Sequence, residues 1–159
     1  MTAPMLPGGR IVGREHLFPI RVYYEDTDAG AIVYHATYLR FAERARTEFL
    51  RHIGWPHQRM QRETGSFWAV RRLSVDYRRP ARLDDALVVT STIEGCGGAS
   101  VDVLQVIARD DEEAARVAVQ LAVLSGSGRP VRIPAALRQA LLPYLDPEES
   151  LQEPCKSMP

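Results

Sequence analysis

The sequence predicts an α+β domain: one strand, one long amphipathic helix, then four strands joined largely by hairpin turns. Three observations carry this. From Leu17 to Glu25 apolar and polar residues alternate, with Ile20, Val22 and Tyr24 on one phase and Arg21, Tyr23 and Glu25 on the other, the period of a half-buried strand. From about Ala36 to Ile53 the period becomes helical, with Tyr38, Ala42, Ala45, Phe49 and Ile53 on one stripe. Beyond Phe67 period-two patterns recur, broken at Gly95-Cys96-Gly97-Gly98 and Asp110-Asp111-Glu112-Glu113, compositions that suit hairpin turns and hence an antiparallel sheet. A long amphipathic helix must bury its stripe, and the sheet is the only large partner.

Taken in order, residues 1–16 are rich in Gly and Pro and lack periodicity, which predicts a loose arm. Within the long helix, Ala-Glu-Arg-Ala-Arg has good helix propensity. Thr37 offers a capping hydroxyl, and Gly54 followed by Pro56 ends the helix. Pro56 to Glu63 suits a short second helix closed by Gly65. From Phe67 to Arg79, Trp68 and Val70 share one phase while Leu73, Val75 and Tyr77 share the other; the slip near Arg71-Arg72 predicts a bulge. Strands follow at Ala86–Glu94, Ala99–Arg109 and Ala114–Leu124. A final helical pattern runs from Ala135 to Leu145 and is interrupted by Pro143. The expectation is a single domain over 17–145 and a disordered tail over 146–159, with no internal repeat.

Composition narrows the function classes. At 159 residues the chain suits one domain that buries roughly 70% of its unfolded surface. Lys plus Arg, 20, equals Asp plus Glu, 20, which argues against nucleic-acid binding. No apolar run approaches the ~18 residues of a membrane span. Two cysteines, Cys96 and Cys155, make no disulfide framework. The N-terminal residues show no signal-peptide pattern, so the cytoplasm is expected. There is no G-x-S-x-G elbow, no phosphate-binding G-x-x-x-x-G-K and no paired Cys/His set; no metal and no redox cofactor are expected.

The chemically loaded stretch lies where the first strand gives way to the long helix. Asp26 and Asp28 precede a loop, Ala29 to His35, that leads into the helix. Unpaired amides and the helix dipole favour negative charge on an oxygen there. Asp28 is therefore a candidate general base or nucleophile. From pattern alone a turn-forming role is favoured, because Asp is common before helices. His35 is a candidate through its backbone N–H or its imidazole, set against an idle loop histidine. Gly30 either takes a positive φ or admits substrate to the backbone, set against an ordinary turn glycine. Tyr34 either lines a pocket or belongs to the core. Arg71, Arg72, Arg78, Arg79 and Arg82 cluster in sequence; alternating strand faces keep them from all converging.

The same stretch, Y-Y-E-D-T-D-A-G-x-x-V-Y-H-A-x-Y-x-x-F-x-E-R-A-R-T-E, resembles the Tol–Pal-associated acyl-CoA thioesterases, within the wider 4-hydroxybenzoyl-CoA thioesterase group. A second block, from Val70-Arg71-Arg72 through Tyr77 to Pro80-Ala81-Arg82-Leu83-Asp84-Asp85, resembles them too, and the similarity runs from about Pro19 to about Leu137. Ala31 departs from the pattern, since relatives often have a second glycine there. The resemblance implies a hotdog fold, an antiparallel sheet wrapped around one central helix. It also implies a homodimer or homotetramer with its site between subunits, and hydrolysis of acyl-CoA to a carboxylic acid and coenzyme A. It makes Asp28 the catalytic aspartate and gives His35 a role, with the helix N-terminal amides as oxyanion site. It leaves open coenzyme A against acyl carrier protein as thioester carrier, and which arginines meet phosphate; Arg72 and Arg79 are the candidates, beside Gly30 and Tyr34 as substrate-binding residues. Two other classes remain: a hotdog hydratase or dehydratase, which the Y-E-D-T-D-A-G block does not resemble, and an acyl-thioester binding module without turnover, which Asp28 and His35 together disfavour.

Overall fold

The computed structural model describes residues 7–147. Its strands are β1 (Arg10–Val12), β2 (Glu15–Arg21), β3 (Ser66–Tyr77), β4 (Ala86–Cys96), β5 (Ser100–Arg109) and β6 (Glu112–Ser125), and its helices are α1 (Thr37–His52), α2 (His57–Thr64) and α3 (Ala135–Leu141). The six strands form one sheet in the order β1-β2-β4-β5-β6-β3, every neighbouring pair antiparallel. The long helix lies against this sheet, which is the expected α+β hotdog arrangement.

Period-two residues face the helix: Leu87, Val89 and Ile93 from β4, Val101, Val103 and Ile107 from β5, Val117, Val119 and Val123 from β6, all buried. From α1 come Tyr38, Phe41, Ala42, Ala45 and Phe49. The two alanines let the helix backbone sit close to the sheet. Phe41 is wholly buried and contributes about 1.5–3 kcal/mol by that burial. One polar cluster crosses the interface. Gln105 Nε2 donates to the Ala42 carbonyl and to Ser91 Oγ, each at 2.9 Å, and Arg46 Nη1 donates to Gln105 Oε1 at 2.7 Å.

Several sequence expectations shift. Residues 10–16, placed in a loose arm, form a hairpin of β1 and the start of β2, turning at Gly13 with φ 61. The three-residue strand is too short to show a period, and His16, fully buried, ties it down through Nε2 and the Gly8 carbonyl at 2.8 Å. The first long strand stops at Arg21 rather than Glu25, and Tyr24–Asp26 form a 3₁₀ turn instead. Thr37 does not cap α1: the N-cap is Ala36, without a side-chain hydrogen bond, and Thr37 is buried as the first helical residue. Gly95 and Cys96 belong to β4, so the turn begins at Gly97, whose N–H bonds the Ser100 carbonyl at 2.8 Å. The β3–β6 register shifts between Val70 and Arg72, at the expected bulge. α3 gives way to a 3₁₀ turn at Leu142–Tyr144, where Pro143 interrupts the pattern. Residues 1–6 of the expected arm and 148–159 of the expected tail lie outside the described residues.

Candidate active site

The segment 23–37 is folded by its own backbone. The Asp26 carboxylate is buried and accepts the Tyr23 N–H at 2.8 Å, while its carbonyl accepts the Tyr34 N–H at 2.9 Å. Asp26 thus holds both sides of the loop together. The loop closes through a bridge of Thr27 with Val33 and through the Asp28 N–H to the Ile32 carbonyl at 2.9 Å. Val33 N–H reaches the Ala81 carbonyl at 2.8 Å, which docks the loop on the chain leaving β3.

At the loop tip Asp28 is exposed. Its Oδ1 accepts the Gly30 N–H at 2.7 Å; its other carboxylate oxygen has no hydrogen bond among the described residues. Gly30 does not take the positive φ that the sequence reading allowed it. That conformation falls on Ala31, with φ 58, the position where a glycine is expected.

The turn into α1 leaves two adjacent amides free. Tyr34 N–H is used by Asp26, and Thr37 N–H bonds the Tyr34 carbonyl at 2.8 Å. Between them, the N–H groups of His35 and Ala36 have no acceptor among the described residues. The His35 carbonyl accepts the Tyr77 hydroxyl at 2.7 Å. Tyr38, one turn on, accepts the Ala81 N–H on its hydroxyl at 3.0 Å. Burial pushes both phenols above their ordinary pKa, so both stay protonated near neutral pH.

These groups border a cleft of about 410 Å³ that includes Asp28, His35, Tyr38, Tyr77, Arg78 and Arg79. Of the residues singled out from sequence, Asp28, His35 and Arg79 line it. Gly30 meets it only through its bond to Asp28. Tyr34 and Arg72 do not line it: the Tyr34 ring leans on the His35 ring at 4.4 Å, and Arg72 is exposed on β3. A larger groove of about 490 Å³ runs along α1 beside Phe18 and Arg44, but it holds neither the aspartate nor the free amides, so chemistry favours the smaller cleft. Sequence reasoning named Tyr77 as an apolar-phase strand residue and as part of the second resembling block, without a site role; nothing in the pattern signals its hydroxyl contact 42 positions away.

Arg79 pairs with Glu112 at 2.8 Å, and Arg78 with Asp76 at 2.9 Å and Glu113 at 3.4 Å. Such exposed pairs contribute ~0–1 kcal/mol, so either guanidinium can exchange its carboxylate for a stronger anion. Among the described residues no group of three or more His, Cys, Asp or Glu is placed to hold a metal. No helix there is long and apolar enough to cross a membrane.

Known proteins resemble this chain in sequence and in fold. The model of the thioesterase-like superfamily matches residues 22–141. The acyl-CoA thioesterase YbgC of Haemophilus influenzae is 40% identical over 124 residues, covering 77% of this chain and 91% of that protein. The acyl-CoA thioester hydrolase YbgC of Escherichia coli is 51% identical over 84 residues, 53% of this chain, and the match spans 62% of that protein. A crystal structure of a probable thioesterase from Bartonella henselae superposes with a TM-score of 0.72 at 34% identity, over 76% of this chain and 99% of that one. The family match over most of the chain and these relatives settle the family: the chain belongs to the thioesterase-like superfamily.

Proposed function

We propose that this protein is an acyl-CoA thioesterase, a thioester hydrolase that converts acyl-CoA and water to a carboxylic acid and coenzyme A. One observation carries the reading: a single cleft is lined by an aspartate with an uncommitted carboxylate oxygen and by His35, whose backbone amide, like that of Ala36 next to it, has no acceptor among the described residues. The thioester carbonyl oxygen accepts from the His35 and Ala36 amides, which stabilise the charge that develops on it. Asp28 acts through its free oxygen. As general base it takes a proton from water that adds to the carbonyl carbon. As nucleophile it adds first, and water then cleaves the mixed anhydride. In both routes the C–S bond breaks and the coenzyme A sulfur leaves with a proton. Tyr34 and Gly30 shape the loop around the acyl group, and Arg79 with Arg72 supplies positive charge for the coenzyme A phosphates. The motif from Tyr23 to Glu48 supports the further reading of a Tol–Pal-associated thioesterase of the 4-hydroxybenzoyl-CoA group, acting in the cytoplasm on acyl-CoA or acyl carrier protein.

The assembly we propose is a homodimer, or a homotetramer made by pairing two such dimers. β3 is an edge of the sheet, and Phe67, Val70 and Leu73 on it are exposed. An unpaired edge with apolar side chains favours pairing with a second copy.

A panel of short, long, branched and aromatic acyl-CoAs, with detection of free thiol, tests the activity. Thiol release from at least one member at catalytic rates is expected. Tight binding without thiol release would make the chain a binding module, and hydration of an enoyl-CoA without thiol release would make it a hydratase.

A further inference from the structure

Tyr77 is the last residue of β3, and its hydroxyl donates to the His35 carbonyl at 2.7 Å. The bond joins the sheet edge to the turn that enters α1. Its ring meets Tyr38 edge-on, with centroids 5.6 Å apart and planes at 68°. Tyr38 is itself anchored by the Ala81 amide. The phenol is therefore held from behind and aimed at one peptide group, the one joining His35 to Ala36. That peptide has its carbonyl engaged by Tyr77 and its N–H, on Ala36, free. A hydrogen bond to a carbonyl polarises the amide and makes its N–H a better donor. The upward displacement of the Tyr77 pKa by burial keeps the proton on the phenol over the working pH range.

We propose that Tyr77 is a positioning residue for thioester hydrolysis: its hydroxyl orients and polarises the His35–Ala36 peptide so that the Ala36 N–H donates to the developing oxyanion. The proposal rests on the thioesterase reading of this cleft. A tie between strand and turn that served stability alone would predict a different pattern. Tyr77 is 48% exposed, so its hydroxyl can be removed without opening the core.

The test is Tyr77→Phe, which keeps the ring and its contact with Tyr38. Loss of a direct oxyanion donor costs about 10²–10³-fold in kcat, and an indirect polarising contact is expected to cost about a tenth of the lower figure, ~10-fold. KM is expected to stay within about twofold, because the bond matters most when charge develops. The pH profile of kcat is expected to keep its shape, since the base is unchanged. A second measurement needs no turnover. In the ¹⁵N–¹H spectrum of the unliganded protein, the Ala36 amide proton is expected to move upfield in the variant while β5 amides stay in place. A kcat within twofold of wild type, or an unmoved Ala36 resonance, overturns the proposal. A loss confined to KM or to the thermal midpoint also overturns it, by assigning Tyr77 a purely structural role. Failure of the thioesterase reading is separately visible: the wild-type protein would then release no thiol from any acyl-CoA, which removes the catalytic role whatever the Ala36 resonance does.

Discussion

Asp28 Oδ1 accepts the Gly30 N–H at 2.7 Å, so one carboxylate oxygen shapes the loop while the other is the one the proposed reaction would use. Asparagine keeps the first function, because its carbonyl oxygen can stand in for Oδ1, and it removes the second. Asp28→Asn is therefore expected to fold normally and to lose at least ~10²-fold in kcat, the range for removing a general base. Steady-state kinetics with circular dichroism checks this. Asp26→Asn is expected to lose less kcat and more stability, since the Asp26 carboxylate is buried on the Tyr23 amide. The opposite ranking would exchange the two roles.

Ala31 has φ 58, and the left-handed region costs an L-residue roughly 1–2 kcal/mol. Glycine removes that strain but gains unfolded-state entropy of about 0.4–1 kcal/mol. The balance predicts that Ala31→Gly stabilises the fold by ~0.5–1 kcal/mol, a gain of a few degrees in Tm. Destabilisation on thermal unfolding would show that the loop relies on the alanine methyl group.

Stability should fall on mild acidification. Burial lowers the His16 pKa below its ordinary 6.5, outweighing the bond to the Gly8 carbonyl, with His52 lowering it further and Glu48 opposing. The unfolded chain thus takes up the proton first, and stability rises with pH across the interval between the two pKa values. It is fully present above about 6.5 and is lost progressively as pH falls through the folded-state pKa. His57 shifts in the same direction, but it is exposed and contributes less. His16→Gln is expected to flatten the decline in urea midpoint between neutral and acid pH; an unchanged slope would assign the effect elsewhere.

Edge pairing through β3 predicts a dimer in sedimentation at micromolar concentration. The double variant Val70→Lys, Leu73→Lys sets charge on that edge and is expected to give a monomer with reduced activity. A fully active wild-type monomer would contradict both the assembly and a site shared between subunits.

Long-period features were legible in the sequence and single contacts were not. The α1 stripe through Tyr38, Ala42, Ala45 and Phe49 is buried as its spacing requires, and the phase slip at Arg71-Arg72 marks a real register shift. Both are repeated signals. β1 has three residues, too few to establish a period, and was hidden among glycines and prolines. At the site, residue types brought Asp28 and His35 forward, and both line the cleft. The Tyr77 hydroxyl bond depends on how β3 and the α1 turn meet in space, which no local pattern encodes. Gly30 and Ala31 show the same limit: glycine marked the loop, but the hydrogen bond to Asp28 put the unusual dihedral one residue later.

Gln105 has a consequence beyond filling its place in the core. Apolar packing alone lets a helix turn a few degrees or slip along a sheet with little penalty, because dispersion is not directional. The two bonds from Gln105 Nε2, to Ala42 on the helix and Ser91 on β4, are directional, and breaking them would strand buried polar atoms at ~1–3 kcal/mol each. They act as an index pin between helix and sheet. Six residues upstream of Ala42 lies the Ala36 amide, about 9 Å along the axis at the helical rise per residue. Any rotation at the pin would shift the N-terminal turn, and with it His35 and Tyr38 on the cleft wall, so the aim of that turn is set from deep inside the protein, by a side chain buried in the core.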